Sequence, residues 1–197
     1  MSMRREYDAI VLGLGGIGSA AAYWLSRRVG KNVLGLEQFE LGHVRGESQD
    51  HSRIIRLSYH TPEYVRLAQR AYQTWSEVEA ESGDQLILQT GGLDLGPKDG
   101  AIGIATYADS MRACGVAFEE LDAAEIRHRW PVWQIGDDVH GLYQADAGIA
   151  MAARANATHQ RMAREHGATL RDRTTVDSIS ESGGEFGVRA DGIRYRC

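Results

Sequence analysis

Six consecutive residues near the start of the chain could bind phosphate groups. The segment Gly13-Leu14-Gly15-Gly16-Ile17-Gly18 follows the pattern G-x-G-x-x-G. In this pattern Gly13 permits a tight turn, Gly15 lets a ligand approach the backbone, and Gly18 lets a helix pack closely on a strand. Since a helix N-terminus offers free N–H groups and a partial positive charge, the segment indicates phosphate binding where a helix follows it.

The elements that must position this segment form a β–α–β unit. Tyr7–Leu12 is typical of a buried strand, Gly16 to about Arg28 of a helix, and Asn32–Glu37 of a second buried strand. Glu37 could accept hydrogen bonds from the ribose hydroxyls of adenosine and would repel a 2′-phosphate, so a dinucleotide other than NADP is predicted. The motif does not separate NAD from FAD, although Glu rather than Asp favours FAD. The alternative is that the glycines only form a tight turn.

Arg53 and Arg56 form the second candidate site, on either side of Ile54 and Ile55. A guanidinium group keeps its charge at working pH and can bind a carboxylate through two parallel hydrogen bonds. We expect Ile54 and Ile55 to be buried, so that they anchor the segment. The alternative is that both arginines form surface salt bridges with acids such as Glu47, Asp50 or Glu63.

The composition of the 197 residues is that of an ordinary globular protein, with 43% hydrophobic residues and a net charge of −5. The sequence has no block of Lys or Arg, which argues against nucleic-acid binding. Its glycine-interrupted apolar stretch is too short to span a membrane, and a cytoplasmic location is expected. Cys114 and Cys197 lie far apart without metal-ligand spacing, so no metal site is predicted and both are interpreted as structurally incidental. His159 and His166 are expected to be solvated or to cap a helix.

The remaining pattern mixes helices with short strands. Helices are predicted at Pro62 to about Ser82, Ala101–Cys114, Asp122–Arg129 and Ala152–His166. Strands are predicted at Gly141–Gln144, Thr169–Arg171, Val176–Ser180, Phe186–Ala190 and Ile193–Tyr195. Gln85–Leu95 indicates a strand pair or a bulged strand around Gly91–Gly92.

Several stretches resemble one enzyme family. They are "DAIVLGLGGIGSAAAYWL", "LGLEQFELGHVRGESQDHSRIIRLSY", "TGGLDLGP" and "DAGIAMAARA". The chain resembles the monomeric sarcosine oxidase and N-methyltryptophan oxidase family of FAD-dependent amine oxidases, which is related to D-amino acid oxidase. The resemblance implies an α/β fold in which a Rossmann-like, doubly wound parallel sheet binds FAD, joined to part of a mainly antiparallel substrate domain. It assigns residues 1–84 and 146–197 to the FAD-binding domain and 85–145 to the substrate domain.

The resemblance also implies an activity and a set of site residues. The expected reaction is oxidation of the C–N bond of a secondary amino acid (sarcosine, another N-methyl amino acid or a cyclic imino acid), with O2 as acceptor and H2O2 as product. Arg53 would lie by the flavin ring and Arg56 would hold the substrate carboxylate. The implied FAD-binding residues are Gly13, Gly15, Gly16, Ile17, Gly18, Glu37, Gln38, Ser48, Gln49, Ser52, Arg53 and Val176. A monomer is expected.

Two departures bear on this expectation. Ser48 and Gln49 stand where close members of the family carry a histidine pair, so the preferred amine stays open. Members of the family are about twice as long, and their second half supplies the cysteine that links FAD and a lysine for the substrate. We therefore expect an N-terminal half that is catalytically incomplete. The alternatives are an NAD-linked dehydrogenase and a non-catalytic nucleotide-binding remnant.

Overall fold

The computed structural model describes residues 4–97, 100–101 and 103–197. The helices are α1 (Gly16–Val29), α2 (Pro62–Ser82), α3 (Ile104–Ala113), α4 (Ala123–Arg129) and α5 (Ala152–Glu165). The strands are β1 (Ala9–Leu12), β2 (Val33–Leu36), β3 (Arg53–Ile55), β4 (Ile87–Gln89), β5 (Gly92–Pro97), β6 (Glu119–Leu121), β7 (Val139–Gln144), β8 (Gly148–Ala150), β9 (Thr169–Arg171), β10 (Val176–Ser182), β11 (Glu185–Ala190) and β12 (Ile193–Arg196).

These elements form two compact units. The first unit contains the residues before Arg53 together with Met151–Cys197, and the second contains Arg53–Ala150. The predicted boundaries place α2 with the first segment, whereas the contacts place it in the second unit, where Val65 packs with Leu57 and Met111. The assignment of one domain to FAD and the other to substrate stays a proposal.

The first unit is built on the parallel sheet that the glycine motif predicts. Its strand order is β1–β2–β9, and both pairings are parallel. Leu34 and Leu36 of β2 pack with Val188 and Tyr195 of a second, antiparallel sheet in the order β10–β11–β12. Gly35 lies between the two leucines, and a Cβ there would come within 2.8 Å of Leu14. The mixture of a parallel nucleotide-type sheet and antiparallel strands confirms the predicted α/β class.

The interface between α1 and α5 corrects the expectation for His159. His159 is buried, with its ring 5.6 Å from that of Tyr23, which is itself fully buried on α1. Loss of hydration lowers the pKa of His159 to about 4, because burial penalises the charged imidazolium. The expectation of a solvated or capping histidine is therefore wrong for His159, whereas His166 does lie at the C-cap of α5.

The second unit consists of two antiparallel sheets and three helices. The strand orders are β3–β8–β4 and β5–β7–β6. The expected strand pair within Gln85–Leu95 is corrected here: β4 and β5 follow each other but belong to different sheets. Gly91, with φ +74, stands between them and lets the chain change direction at a position where a side chain would be strained.

Local signals set the bounds of two helices in this unit. Pro62 is the first residue of α2, and Gly83 ends it in the left-handed conformation, with its N–H donating to the Glu79 carbonyl. Asp122 caps α4 through a reciprocal capping box with Glu125. The helix that begins at Pro62 and the helix capped by Asp122 are both predicted from the sequence, and the structure confirms them.

Candidate nucleotide-binding turn and arginine strand

The glycine segment folds as the pattern predicts. Gly13 has φ +84, a conformation that favours glycine, and joins β1 to the turn before α1. A Cβ at Gly18 would lie 1.8 Å from the carbonyl oxygen of Gly13. Gly18 is therefore required for the close approach of α1 to the turn.

Three side chains from three elements hold the peptide groups of Leu14, the residue between the first two glycines. The Glu37 carboxylate accepts the Leu14 N–H at 2.9 Å. The Leu14 carbonyl accepts the Ser19 hydroxyl at 2.6 Å and the buried Gln160 amide at 3.0 Å. This clamp fixes the turn from which the first N–H groups of α1 emerge.

Glu37 also organises the chain that follows it. Its second carboxylate oxygen accepts the Phe39 N–H at 3.1 Å and lies 3.4 Å from Nε2 of His43. His43 Nδ1 in turn accepts the Arg45 N–H at 3.0 Å, so the neutral tautomer carries its proton on Nε2, facing Glu37. The Glu37 carboxylate thus connects the glycine turn at Leu14 to the irregular segment after β2.

Ser48 lies at the start of α1. Its hydroxyl oxygen accepts the Gly16 N–H at 2.8 Å, and a Cβ at Gly15 would come within 2.8 Å of the same oxygen. A hydroxyl has one donor and two acceptor positions, so Ser48 can accept from Gly16 and still donate to a ligand oxygen. It therefore occupies the side of the helix N-terminus where anions are favoured.

Two cavities adjoin this turn and share Glu37 and Gln38. The first, of about 230 Å³, we name the loop cavity; its lining includes Gly15, His43, Arg45, Ser48 and Asn156. The second, of about 240 Å³, we name the strand-end cavity; its lining includes Gly13, Thr174, Thr175 and Val176. A buried carboxylate between two cavities beside a helix N-terminus fits an adenine dinucleotide, whose phosphates need N–H donors and whose ribose needs an acceptor.

Of the eleven predicted FAD-binding residues in this unit, six line the two cavities and five do not. Those that line them are Gly13, Gly15, Glu37, Gln38, Ser48 and Val176; those that do not are Gly16, Ile17, Gly18, Gln49 and Ser52. Ile17, on the first turn of α1, is 90% exposed. Gln49 and Ser52 are also exposed, and neither lines the loop cavity or the strand-end cavity. Their contribution to FAD binding stays a prediction.

Arg53 and Arg56 belong to the second unit, on and just after β3. Arg53 is exposed and pairs in register with Ala150 of β8. Ile54 is 78% exposed, so the expectation that it anchors the segment by burial is wrong; β3 is a three-residue strand held by backbone pairing with β8. Ile55 is partly buried.

Arg56 forms an ion pair that neither sequence interpretation contained. Its guanidinium contacts the carboxylate of Asp94 on β5, and the Ser58 hydroxyl donates to the second oxygen of that carboxylate. The guanidinium also lies 5.7 Å from the centre of the Tyr59 ring. The predicted surface partners were acids such as Glu47, Asp50 or Glu63, whereas the observed partner of Arg56 is Asp94.

Asp94, Asn156 and Gln160 are among the residues of these sites that were missed from the sequence. Asp94 gave no signal, since an acid between Leu93 and Leu95 in a strand points to the opposite face from the leucines, which is the ordinary pattern of a polar face. Gln160 and Asn156 are four residues apart on α5 and so share a face, but an amphipathic helix gives no indication of which element that face meets.

The parallel sheet, the clamped glycine turn and the buried acid define an α/β dinucleotide-binding protein. The chain belongs to the DAO family of FAD-dependent oxidoreductases, whose family model matches residues 8–197. This membership confirms the expected family of the sequence resemblance and FAD as the cofactor, and it makes the protein an enzyme by family.

Particular relatives carry the same likeness. The chain is 42% identical over 172 residues to monomeric sarcosine oxidase of Streptomyces avermitilis, covering 85% of this chain and 44% of that protein. It is 35% identical over 163 residues to N-methyl-L-tryptophan oxidase of Salmonella arizonae, covering 82% and 43%. Among solved structures, NikD, an unusual amino acid oxidase essential for nikkomycin biosynthesis, superposes with a TM-score of 0.88 at 28% identity, covering 98% of this chain and 50% of NikD.

The chain spans about half the length of the curated relatives it matches. Within residues 4–97, 100–101 and 103–197, no helix combines the length and apolar character needed to cross a membrane. The same residues hold no group of three His, Cys, Asp or Glu side chains arranged to bind a metal ion.

Proposed function

We propose that this protein acts in the FAD-dependent oxidation of a secondary amino acid, such as sarcosine, another N-methyl amino acid or a cyclic imino acid. The observation that carries the proposal is the clamped turn at Leu14 with Glu37 between two cavities, in a chain of the FAD-dependent DAO family. Relatives named sarcosine oxidase and N-methyl-L-tryptophan oxidase support the substrate class.

When bound, FAD would accept the electrons of the C–N bond and pass them to O2, which gives H2O2 and an imine that water hydrolyses. The residues of this chain would bind and orient the cofactor. Gly13, Gly15, Gly16 and Gly18 allow the phosphates close to the backbone, and Glu37 accepts from ribose hydroxyls while it holds Leu14. Gln38 and Val176, at the strand-end cavity, would contact the adenosine side, and Ser48 the diphosphate.

The two arginines would act at the reacting end. We assign Arg53 to the flavin ring and Arg56 to the substrate carboxylate, because a guanidinium fits a carboxylate bidentately. Asp94 now holds Arg56 in the way that a substrate carboxylate would, so substrate binding requires Arg56 to share or exchange this partner. Ile17, Gln49 and Ser52 complete the proposed cofactor set. A cytoplasmic monomer without nucleic-acid or membrane partners is part of the proposal.

The test is reconstitution of the purified chain with FAD. Retention of the visible flavin absorbance through gel filtration is expected. Anaerobic addition of sarcosine, N-methyltryptophan or pipecolate is then expected to bleach that absorbance, and Arg56→Met should prevent the bleaching without releasing FAD. Since the chain spans about half the length of its curated relatives, the bleaching assay tests whether the residues of this chain suffice for the reaction.

A second candidate, a non-catalytic nucleotide-binding protein, is favoured by the Arg56–Asp94 pair, which leaves the arginine already neutralised. It predicts FAD retention with no bleaching by any of the three amines. Failure to retain FAD would contradict both candidates.

A further inference from the structure

The face of α5 that carries Asn156 and Gln160 lies against the glycine turn at Leu14. Gln160 donates from its buried amide to the Leu14 carbonyl at 3.0 Å and to the Ser19 hydroxyl at 3.2 Å. Residues four apart lie on one face of a helix, so Asn156 stands one turn away on the same side. Asn156 accordingly lines the loop cavity together with Gly15 and Ser48.

The side-chain amides of Gln160 and Asn156 differ in their hydrogen bonding. The Gln160 amide nitrogen donates both of its hydrogen bonds within the protein. The Oδ1 of Asn156, by contrast, is buried and has no hydrogen-bond partner among the described residues. A buried polar atom without a partner costs free energy and is rare in folded proteins, so a cavity-lining acceptor of this kind points to a ligand donor.

The chemistry of the partner follows from the acceptor. An amide oxygen needs a donor, and the phosphate oxygens of FAD offer none. The donors next to the diphosphate are the hydroxyls of the ribityl chain on one side and of the ribose on the other. The terminal torsion of asparagine is broad, so rotation of the amide can turn Oδ1 into the cavity.

We propose that Asn156 is a cofactor-contacting residue whose side-chain oxygen accepts a hydrogen bond from a sugar-type hydroxyl adjoining the diphosphate. This inference rests on the proposed FAD-binding function. It adds α5 as a further wall of the site, since no other predicted FAD contact comes from this helix.

The experiment compares Asn156→Leu, which removes the amide at similar volume, with Gln160→Leu on the same face. Each full-length variant is titrated with FAD, FMN and ADP, and its unfolding midpoint is measured without ligand. Asn156→Leu is expected to weaken FAD binding about fivefold, the value of one neutral hydrogen bond, with an unchanged or higher midpoint because no bond within the protein is lost. Gln160→Leu is expected to lower the midpoint.

The three ligands locate the contact. A loss of affinity for FAD and FMN but not ADP places the hydroxyl on the ribityl chain, and a loss for FAD and ADP places it on the ribose. Asn156→Asp keeps an acceptor oxygen and, at a salt concentration that screens its charge, should retain more affinity for FAD than Asn156→Leu. This second variant supplies the comparison if Asn156→Leu does not fold.

Two results would overturn the inference alone: unchanged affinity of Asn156→Leu for all three ligands, or a lowered midpoint with unchanged FAD affinity. If the unmodified chain retains no FAD, the proposed function fails and the inference fails with it. The titration of the unmodified chain therefore separates the two failures.

Discussion

Glu37 in the first unit and Asp94 in the second are both acids at the end or middle of a strand, yet their partners differ in kind. Glu37 has a side chain only 7% exposed and accepts backbone N–H groups from Leu14 and Phe39. Asp94 is 24% exposed and accepts from two side chains, Arg56 and Ser58. Backbone donors are set by the fold and by the local motif, whereas side-chain donors can exchange partners. The first arrangement therefore suits a fixed cofactor and the second suits a group that substrate could displace.

Gly18→Ala should disrupt the glycine turn of the first unit without touching Asp94 or Arg56 in the second. The added Cβ would lie 1.8 Å from the Gly13 carbonyl oxygen, so the turn or α1 must move. We expect a loss of about 3 kcal/mol or more in the free energy of unfolding, together with loss of FAD binding. Urea denaturation and flavin titration measure both quantities.

Gly16→Ala is the matched control, since its Cβ would lie 3.5 Å from the Ser48 hydroxyl oxygen, in ordinary contact. Gly16→Ala should leave the fold intact. Equal stability of the two variants would show that α1 does not pack on the turn as described.

The two units should lose stability at opposite ends of the pH scale, the first in acid through His159 and the second in alkali through Tyr72. Between pH 6.5 and about 4 the unfolded chain binds a proton that folded His159 does not, because burial lowers the pKa of His159. The free energy of unfolding should therefore fall with decreasing pH across this window, by up to about 3 kcal/mol. His159→Phe should flatten this dependence in denaturation curves taken at several pH values.

Tyr72, in the second unit, gives the opposite dependence. Burial raises its pKa to about 12, and its hydroxyl donates to the Asp146 carbonyl at 2.9 Å. The stability it contributes is complete below pH 10 and is lost as the pH rises towards 12. Tyr72→Phe should reduce the alkaline loss and leave the acid loss unchanged; an acid effect of Tyr72→Phe would contradict the assignment.

Glu37→Gln tests the carboxylate with backbone partners. The amide keeps one acceptor oxygen but presents an NH2 group to one of the two N–H donors, so we expect a loss of about 2 kcal/mol in stability. FAD affinity should fall as well, because the Leu14 turn is no longer clamped. A stable variant with unchanged FAD affinity would show that the Glu37 carboxylate neither clamps the Leu14 turn nor contributes to FAD binding.

Asp94→Asn should have the smallest effect, about 1 kcal/mol, because the ion pair with Arg56 is partly exposed to water. A double-mutant cycle with Arg56→Met measures the coupling between the two side chains. If Asp94 competes with substrate for Arg56, Asp94→Asn should also tighten binding of a carboxylate inhibitor. An additive cycle would show that the pair contributes nothing.

Local chemistry explains which parts of the structure could be predicted. Gly13, Gly18 and Glu37 act within one β–α–β unit, and the helix α2 begins and ends at Pro62 and Gly83, so each signal lies beside the feature it specifies. These motifs predicted a dinucleotide without separating NAD from FAD; FAD was implied by the family resemblance and is confirmed by family membership.

Long-range pairing explains what could not be predicted. The strands β3 and β8 have three residues each and exist because they pair with each other across the chain, so no local pattern marks them. The apolar side chain of Ile54 favours burial, but Ile54 lies exposed on this short strand. The polar side chain of His159 favours solvent, but His159 lies buried beside Tyr23, because α5 packs on α1. The partner of Arg56 was missed for the same reason, since Asp94 is 38 residues away.

The pairing of Arg53 with Ala150 places the first and last residues of the second unit opposite each other in neighbouring strands. In the first unit, the N–H groups of Ala152 and Ala153 donate to the carbonyls of His51 and Asp50, at 3.1 and 3.2 Å. Chain ends held this close can be joined by a two-residue turn. Residues 53–150 therefore leave and re-enter the first unit at adjacent positions, and an Asn-Gly linker in their place would connect the two segments of that unit directly.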